Sequence, residues 1–130
     1  MKILIGYDGS QETKKALDIV RKYADTLCAE AYVLTVVDGG RHAVPEVYQK
    51  AKADLAFAKN SIAAAGIRCT AKLSAQGLEP GEELVQLAKQ NAIDLIIVGI
   101  RKHSKMGKLL FGSNAQYIIL EAPCPVLTVK

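Results

Sequence analysis

Short apolar runs alternate with amphipathic stretches along the chain. The apolar runs predict five strands, at residues 2–7, 31–37, 67–74, 94–99 and 126–129. Between them, apolar side chains recur at helical spacing around residues 16–27, 45–65, 84–91 and 113–121. The third run alternates apolar and polar residues, which is typical of a strand at a sheet edge, whereas 94–99 is apolar enough to be covered on both faces.

The alternation of strands and helices predicts an α/β fold. It indicates a mainly parallel sheet with helices on both faces and right-handed crossovers. Ligands of such sheets bind beyond the carboxyl ends of the strands, where the strand order reverses. This rule points to residues 8–10, to 36–40 and to Gly99 onward.

Local signals predict helix starts and a core. Ser10 is placed to cap the first helix, and Ser113 with Gln116 has the spacing of a capping box at the start of the last one. The hydrophobic core is expected to include Leu4, Val33, Ile96, Ile97 and Leu127.

Length and composition indicate one domain over residues 1–130. Half of the residues are apolar and 23% are charged, which excludes disordered and low-complexity classes. No apolar run is long enough to cross a membrane, and the N-terminus lacks the features of a signal peptide. The chain has an odd number of cysteines, and their spacing is not that of a metal site: Cys28, Cys69 and Cys124. This favours a reducing, cytoplasmic location.

The basic charge of the chain is concentrated in one short segment. Seventeen Lys and Arg residues face thirteen Asp and Glu residues, for a net charge of +4. Residues 101–108 contain four of the basic residues and no acidic one, so the rest of the chain is balanced. A local patch in a loop indicates a phosphate-sized anion as ligand, whereas a nucleic acid partner is expected to need a broader basic surface.

The segment 99–113 is the strongest candidate for a binding site. It runs from a strand end through the basic loop to a Gly-Ser helix start, where glycine backbone and a helix N-terminus can approach an anion. The residues alone leave open a solvated loop with Ser113 as a simple helix cap. The chain has no Walker A loop, no G-x-G-x-x-G fingerprint and no G-x-S-x-G elbow. His42 and His103 show no spacing of a metal site or a catalytic triad, so neither is predicted.

The sequence resembles the universal stress protein family over essentially its whole length. The resemblance lies in the opening ILIGYDGS, in TVVD, in LIIVG and in the closing GSNAQYIILEAPCPVLTVK. It implies a five-stranded parallel sheet of order 3-2-1-4-5 with helices on both faces, usually dimeric. Many members of the family bind ATP through Gly, two residues, Gly, nine residues, Gly, and then Ser or Thr.

This chain keeps that glycine pattern with one departure. Gly99 and Gly112-Ser113 match it, but position 102 is lysine, whose charge we expect to meet the phosphates in place of the glycine backbone. The resemblance further implies that Asp8 meets the sugar or base and that Val36 lies against adenine. Together with the strand-end rule, the basic loop and the helix start, this predicts a nucleotide site that comprises Asp8, Gly9, Ser10, Val36, Gly99, Arg101, Lys102, Gly112, Ser113 and Asn114.

The leading interpretation is a cytoplasmic sensor or regulatory module that binds an adenine nucleotide, ATP with or without Mg²⁺. The last strand is expected to pair two copies in a homodimer. One alternative is a dimeric interaction protein of the same family that binds no nucleotide, for which Lys102 is the argument. Another is a slow ATP hydrolase, although the motif supplies no evident residue to orient the attacking water.

Overall fold

Strands and helices alternate as the apolar runs predict. The computed structural model describes residues 1–100 and 112–130. The strands are β1 Lys2–Gly6, β2 Glu30–Val36, β3 Cys69–Ser74, β4 Leu95–Gly99 and β5 Val126–Val129. The helices are α1 Gln11–Leu27, α2 Pro45–Ala64, α3 Pro80–Gln90 and α4 Ser113–Glu121, with a short 3₁₀ turn at Gly40–His42. Within these described ranges, no helix combines the length and the apolar character that spanning a membrane requires.

The five strands form one parallel sheet in the order β3-β2-β1-β4-β5. This confirms the predicted α/β fold and its 3-2-1-4-5 order. The chain builds outward from β1 to β3, then crosses to β4 and β5 on the other side. Right-handed crossovers therefore place α1 and α2 on one face and α3 and α4 on the opposite face. The order reverses between β1 and β4, which makes this pair the switch point of the sheet.

Two hydrophobic layers lie on the two faces of the sheet. Successive side chains of a strand point to opposite faces, so Ile3 and Ile5 join the layer under α1 and α2, whereas Leu4 joins the layer under α3 and α4. Four of the five predicted core residues are at most 1% exposed: Leu4, Val33, Ile96 and Ile97. The central strands are therefore covered on both faces, as their unbroken apolar runs predict.

The prediction that Leu127 belongs to the core is wrong. Its side chain is 40% exposed, although Val129 on the same face of β5 is buried. The reason is the position of β5 at the sheet edge, next to β4 alone. Leu127 extends beyond the cover that α1 gives to Val129, and an apolar sequence does not reveal where a covering helix ends.

The predicted cap of α4 is also wrong. Gly112 is the N-cap residue, with extended φ and ψ of −64° and 163°, and no side chain caps the helix. Ser113 is the first helical residue, so it forms no capping box with Gln116, whose N–H donates to the Gly112 carbonyl at 3.0 Å. At α1 the prediction is confirmed, because the Ser10 hydroxyl accepts from the Thr13 N–H at 3.3 Å.

A buried polar pair fixes α3 against the end of β3. Ser74 and Glu83 are 3% and 7% exposed, and the Ser74 hydroxyl donates to Glu83 Oε1 at 2.5 Å. Glu83 Oε2 is buried without a hydrogen-bond partner in the described part of the chain. The carboxylate therefore depends on Ser74 for a direct protein contact.

We expect Ser74→Ala to destabilise the fold by about 1–3 kcal/mol, because it leaves a buried carboxylate without its donor. Urea denaturation would measure the change in the free energy of unfolding. The matched control is Ser61→Ala, which removes a half-buried hydroxyl that accepts from exposed Arg21 and should change stability by less than about 0.5 kcal/mol. Equal stability of the two variants would show that the buried pair contributes nothing.

Candidate functional site

A cavity of about 330 Å³ opens at the carboxyl ends of the strands, at the switch point between β1 and β4. Its floor comes from the ends of β1, β2 and β4, and its walls come from α2 and from the first turns of α3 and α4. The lining residues are Gly6, Tyr7, Asp8, Thr13, Leu34, Thr35, Val36, Asp38, Val47, Lys50, Ala51, Asp54, Pro80, Leu84, Val98, Gly99, Asn114, Ala115 and Ile118. The cavity lies where the general rule for parallel sheets predicts a ligand.

Asp8 is oriented by the first turn of α1. Its Oδ1 accepts from the Ser10 N–H at 2.9 Å and from the Thr13 hydroxyl at 3.0 Å. Thr13 is buried, and its hydroxyl also lies 3.1 Å from the Ser10 carbonyl. The side chain of Asp8 is therefore held at the cavity, while Ser10 serves as the helix cap.

Gly99 permits the close packing of α1 against the end of β4. A Cβ at this position would lie 2.8 Å from the Cβ of Glu12 and 3.1 Å from Cγ2 of Thr13. These distances are shorter than ordinary van der Waals contacts. Any larger residue at Gly99 would push away the helix turn that holds Asp8. The cavity floor and the position of Asp8 thus depend on the same glycine.

Asn114 joins the first turns of α3 and α4. Its Oδ1 accepts from the Gly81 N–H at 2.9 Å, so two helix N-termini meet beside the cavity. The first N–H groups of a helix have no partner within the helix. Because no side chain caps α4, its first turn offers donors and the positive end of a helix dipole at the cavity wall.

The structure brings together four of the ten predicted site residues. Asp8, Val36, Gly99 and Asn114 line the cavity. The neighbouring Gly9, Ser10, Gly112 and Ser113 do not line it. Arg101 and Lys102 lie outside the described residues. The cavity lining therefore consists mainly of side chains that the sequence did not single out.

The α2 wall is the largest group that sequence reasoning missed. Val47, Lys50, Ala51 and Asp54 recur at helical spacing and face the cavity. The Lys50 ammonium donates to Asp54 Oδ2 at 2.7 Å, and this hydrogen bond raises the pKa of Lys50. In the sequence, Lys50 and Asp54 look like any surface pair one turn apart on a helix. The tertiary fold alone places them over the end of β1.

The described lining is rich in carboxylates. Asp8, Asp38 and Asp54 face the cavity, and Lys50 is the cation among the described lining residues. Tyr7 is buried beneath them, and its pKa is raised by burial and then by the negative charges of Asp54 and Asp8. Within residues 1–100 and 112–130, no cluster of His, Cys, Asp and Glu has the arrangement of a metal site. The described residues thus give no fit for a Mg²⁺ held by the protein alone.

Comparison with known proteins places this fold in one family. The family model described as "Universal stress protein family" matches residues 1–130. This chain belongs to the universal stress protein family. It is 31% identical to a universal stress protein of Thermus aquaticus over 134 residues, which covers 98% of this chain and 97% of the relative.

Two solved structures of Archaeoglobus fulgidus resemble this universal stress protein closely. One, a universal stress protein, has a TM-score of 0.87 and 32% identity and covers 100% of this chain and 98% of its own. The other, a universal stress protein in complex with dAMP, has a TM-score of 0.82 and 28% identity with the same coverage. The similarity extends over whole chains, so the elements that surround the cavity are shared family elements.

Gly9 of this universal stress protein lies directly against Asp54. Its φ is +81°, and a Cβ built there would lie 2.7–2.8 Å from the carboxylate atoms of Asp54. Two effects therefore favour glycine at this position, the left-handed backbone and the space that Asp54 occupies.

We expect Gly9→Ala to destabilise the protein by about 1–2 kcal/mol through the left-handed backbone alone, and by more because Asp54 must move. The matched control is Gly77→Ala, where φ is +82° and no atom of the described residues lies within 4 Å of the added Cβ. The difference between the two variants in urea denaturation isolates the contact with Asp54. If Gly77→Ala costs as much as Gly9→Ala, the contact is not restrictive.

Proposed function

We propose that this universal stress protein binds an adenine nucleotide in the cavity, with ATP as the expected ligand, and acts as a cytoplasmic sensor or regulatory module. The observation that carries the proposal is the meeting of Asp8, Val36, Gly99 and Asn114 around one cavity at the switch point. The family resemblance implies a nucleotide contact for Asp8, Val36 and Gly99, and the helix start indicates one for Asn114. Three separate strand ends and one helix start contribute them.

The structural relative in complex with dAMP supports the adenine part of this proposal. That protein is 28% identical to this chain and shares its fold from end to end. Half-buried Val36 and the buried side chains of Leu34 and Val98 supply an apolar floor. Such a floor suits the face of a purine ring, since binding sites for small molecules combine apolar walls with a few oriented polar groups.

The charges favour one orientation of the ligand. Phosphates are repelled by the carboxylates of Asp8, Asp38 and Asp54, so the nucleoside faces this acidic wall. The phosphates then lie at the first turn of α4, where uncapped N–H groups attract anions. In the sequence, the basic residues of 101–108 lie shortly before that helix.

We expect calorimetric titration at low salt to show saturable binding of at least one of ATP, ADP and AMP, weakened by added salt because screening reduces the attraction to phosphate. Val36→Trp should lower the affinity at least tenfold by filling the cavity. Thr70→Trp on the exposed side of β3 is the control and should bind like the wild type. No heat and no saturation with any of the three nucleotides would refute the proposal and favour the interaction protein that binds no nucleotide.

We also propose that the protein forms a homodimer through β5. This strand is at the sheet edge, and unpaired edges are normally covered or paired. Large apolar side chains are exposed on β5 and on the preceding helix: Tyr117, Ile119, Leu120 and Leu127. A two-fold axis beside β5 would cover this surface on both copies at once, as expected of an isologous interface.

Light scattering at micromolar concentration should give twice the 14.0 kDa chain mass for the wild type. Leu127→Lys should shift the mass toward the monomer, because it places a charge in the proposed interface. Leu78→Lys is a matched control, since Leu78 is 42% exposed, close to the 40% of Leu127, but lies before α3. A monomeric wild type, or an equal shift for both variants, would refute pairing through β5.

A further inference from the structure

The α2 wall of the cavity carries an ion pair with an inner and an outer member. Lys50 and Asp54 are one helical turn apart, and Nζ of the lysine lies 2.7 Å from Oδ2 of the aspartate. The Lys50 side chain is 69% exposed, whereas that of Asp54 is 23% exposed. The carboxylate is therefore the group presented toward the interior, and the ammonium holds it from the solvent side.

The carboxylate is also confined from the opposite direction. Asp54 packs on Gly9 so closely that the space of a single Cβ is already filled. Among the described residues, Lys50 alone donates a hydrogen bond to Asp54, and it does so through Oδ2. The carboxylate is thus fixed between α2 and the β1–α1 turn. It can still accept further hydrogen bonds from a ligand in the cavity.

The chemistry of this wall selects hydrogen-bond donors. An ionised carboxylate only accepts hydrogen bonds, and Asp8 lies at the same cavity with the same property. A phosphate would be repelled here. The nucleoside part of an adenine nucleotide carries neutral donors, namely the ribose hydroxyls and the exocyclic amine of the base. These groups can satisfy the acceptor without bringing a second negative charge.

We propose that Asp54, held in place by Lys50, is a specificity residue that accepts hydrogen bonds from the neutral donors of the bound nucleoside. The inference rests on the proposed nucleotide function and adds to it a residue that the glycine motif does not contain. Ribose hydroxyls and the adenine amine share the required chemistry, so the ligands of the test must distinguish them.

Calorimetry with four monophosphates tests the inference: AMP, 2′-deoxy-AMP, 3′-deoxy-AMP and inosine monophosphate, which lacks the amine. The wild type should bind AMP roughly tenfold to a hundredfold more tightly than at least one analogue, as expected for the loss of a hydrogen bond to a charged group. A deoxy analogue with weak binding identifies a ribose hydroxyl as the donor. Weak binding of inosine monophosphate identifies the amine.

Asp54→Asn should weaken AMP binding and remove that discrimination while the protein stays folded in urea denaturation. Asp18→Asn is the matched control, because Asp18 pairs with Arg21 on the exposed surface of α1, and it should keep the wild-type pattern. Lys50→Met keeps the carboxylate of Asp54 but removes the hydrogen bond that holds it in place, and should reduce the discrimination between AMP and its analogues. This second variant decides the question if Asp54→Asn does not fold.

The outcomes separate the two proposals. A wild type that binds none of the nucleotides refutes the proposed function itself. A wild type that binds AMP but does not discriminate among the analogues refutes only the role of Asp54. Discrimination that survives unchanged in Asp54→Asn, or in Lys50→Met where the first variant is unfolded, refutes that role as well.

Discussion

The parallel pairing of β1 with β4 is the constraint on which the rest of the structure depends. The two strands are some ninety residues apart in sequence, yet Leu4 pairs with Ile96 and Ile5 with Ile97, all fully or nearly fully buried. Once they pair, the earlier strands extend the sheet on one side and the last strand extends it on the other. Right-handed crossovers then send the two pairs of helices to opposite faces. Because the two pairs of helices diverge at the carboxyl ends of β1 and β4, a cavity opens between them.

The same geometry separates opposite charges across the cavity. The helix α2 and the ends of β1 and β2 contribute Asp54, Asp8 and Asp38, whereas the start of α4 contributes helix donors. A ligand with one anionic end and one neutral end rich in donors matches this division better than a uniformly charged one. The polarity of the cavity is thus a consequence of which strand ends and helix starts the switch point brings together.

Sequence alone predicted the features that neighbouring residues determine. The apolar runs of β1 and β4 are signals within a few neighbouring residues. The cap at Ser10 is equally local, because its hydroxyl accepts a hydrogen bond from the N–H of Thr13, three residues later. The prediction that Ser113 caps α4 was wrong, because Gly112 adopts the extended N-cap conformation one residue earlier. Leu127 was wrongly assigned to the core and Asp54 was not predicted, because their exposure and contacts depend on packing between elements distant in sequence.

The two described glycines of the family motif differ in what the fold requires of them. Gly99 must be small because α1 packs on it, and this requirement holds whether or not a nucleotide binds. Its presence therefore does not by itself distinguish members that bind nucleotide from those that do not. Gly112 has an ordinary φ of −64°, and no described atom lies within 4 Å of a Cβ added there. Serine or aspartate at this N-cap would serve the helix at least as well as glycine. Local packing of the described residues thus gives no reason for glycine at 112. The nucleotide proposed above, with its phosphates at the N–H groups at the start of α4, would supply one.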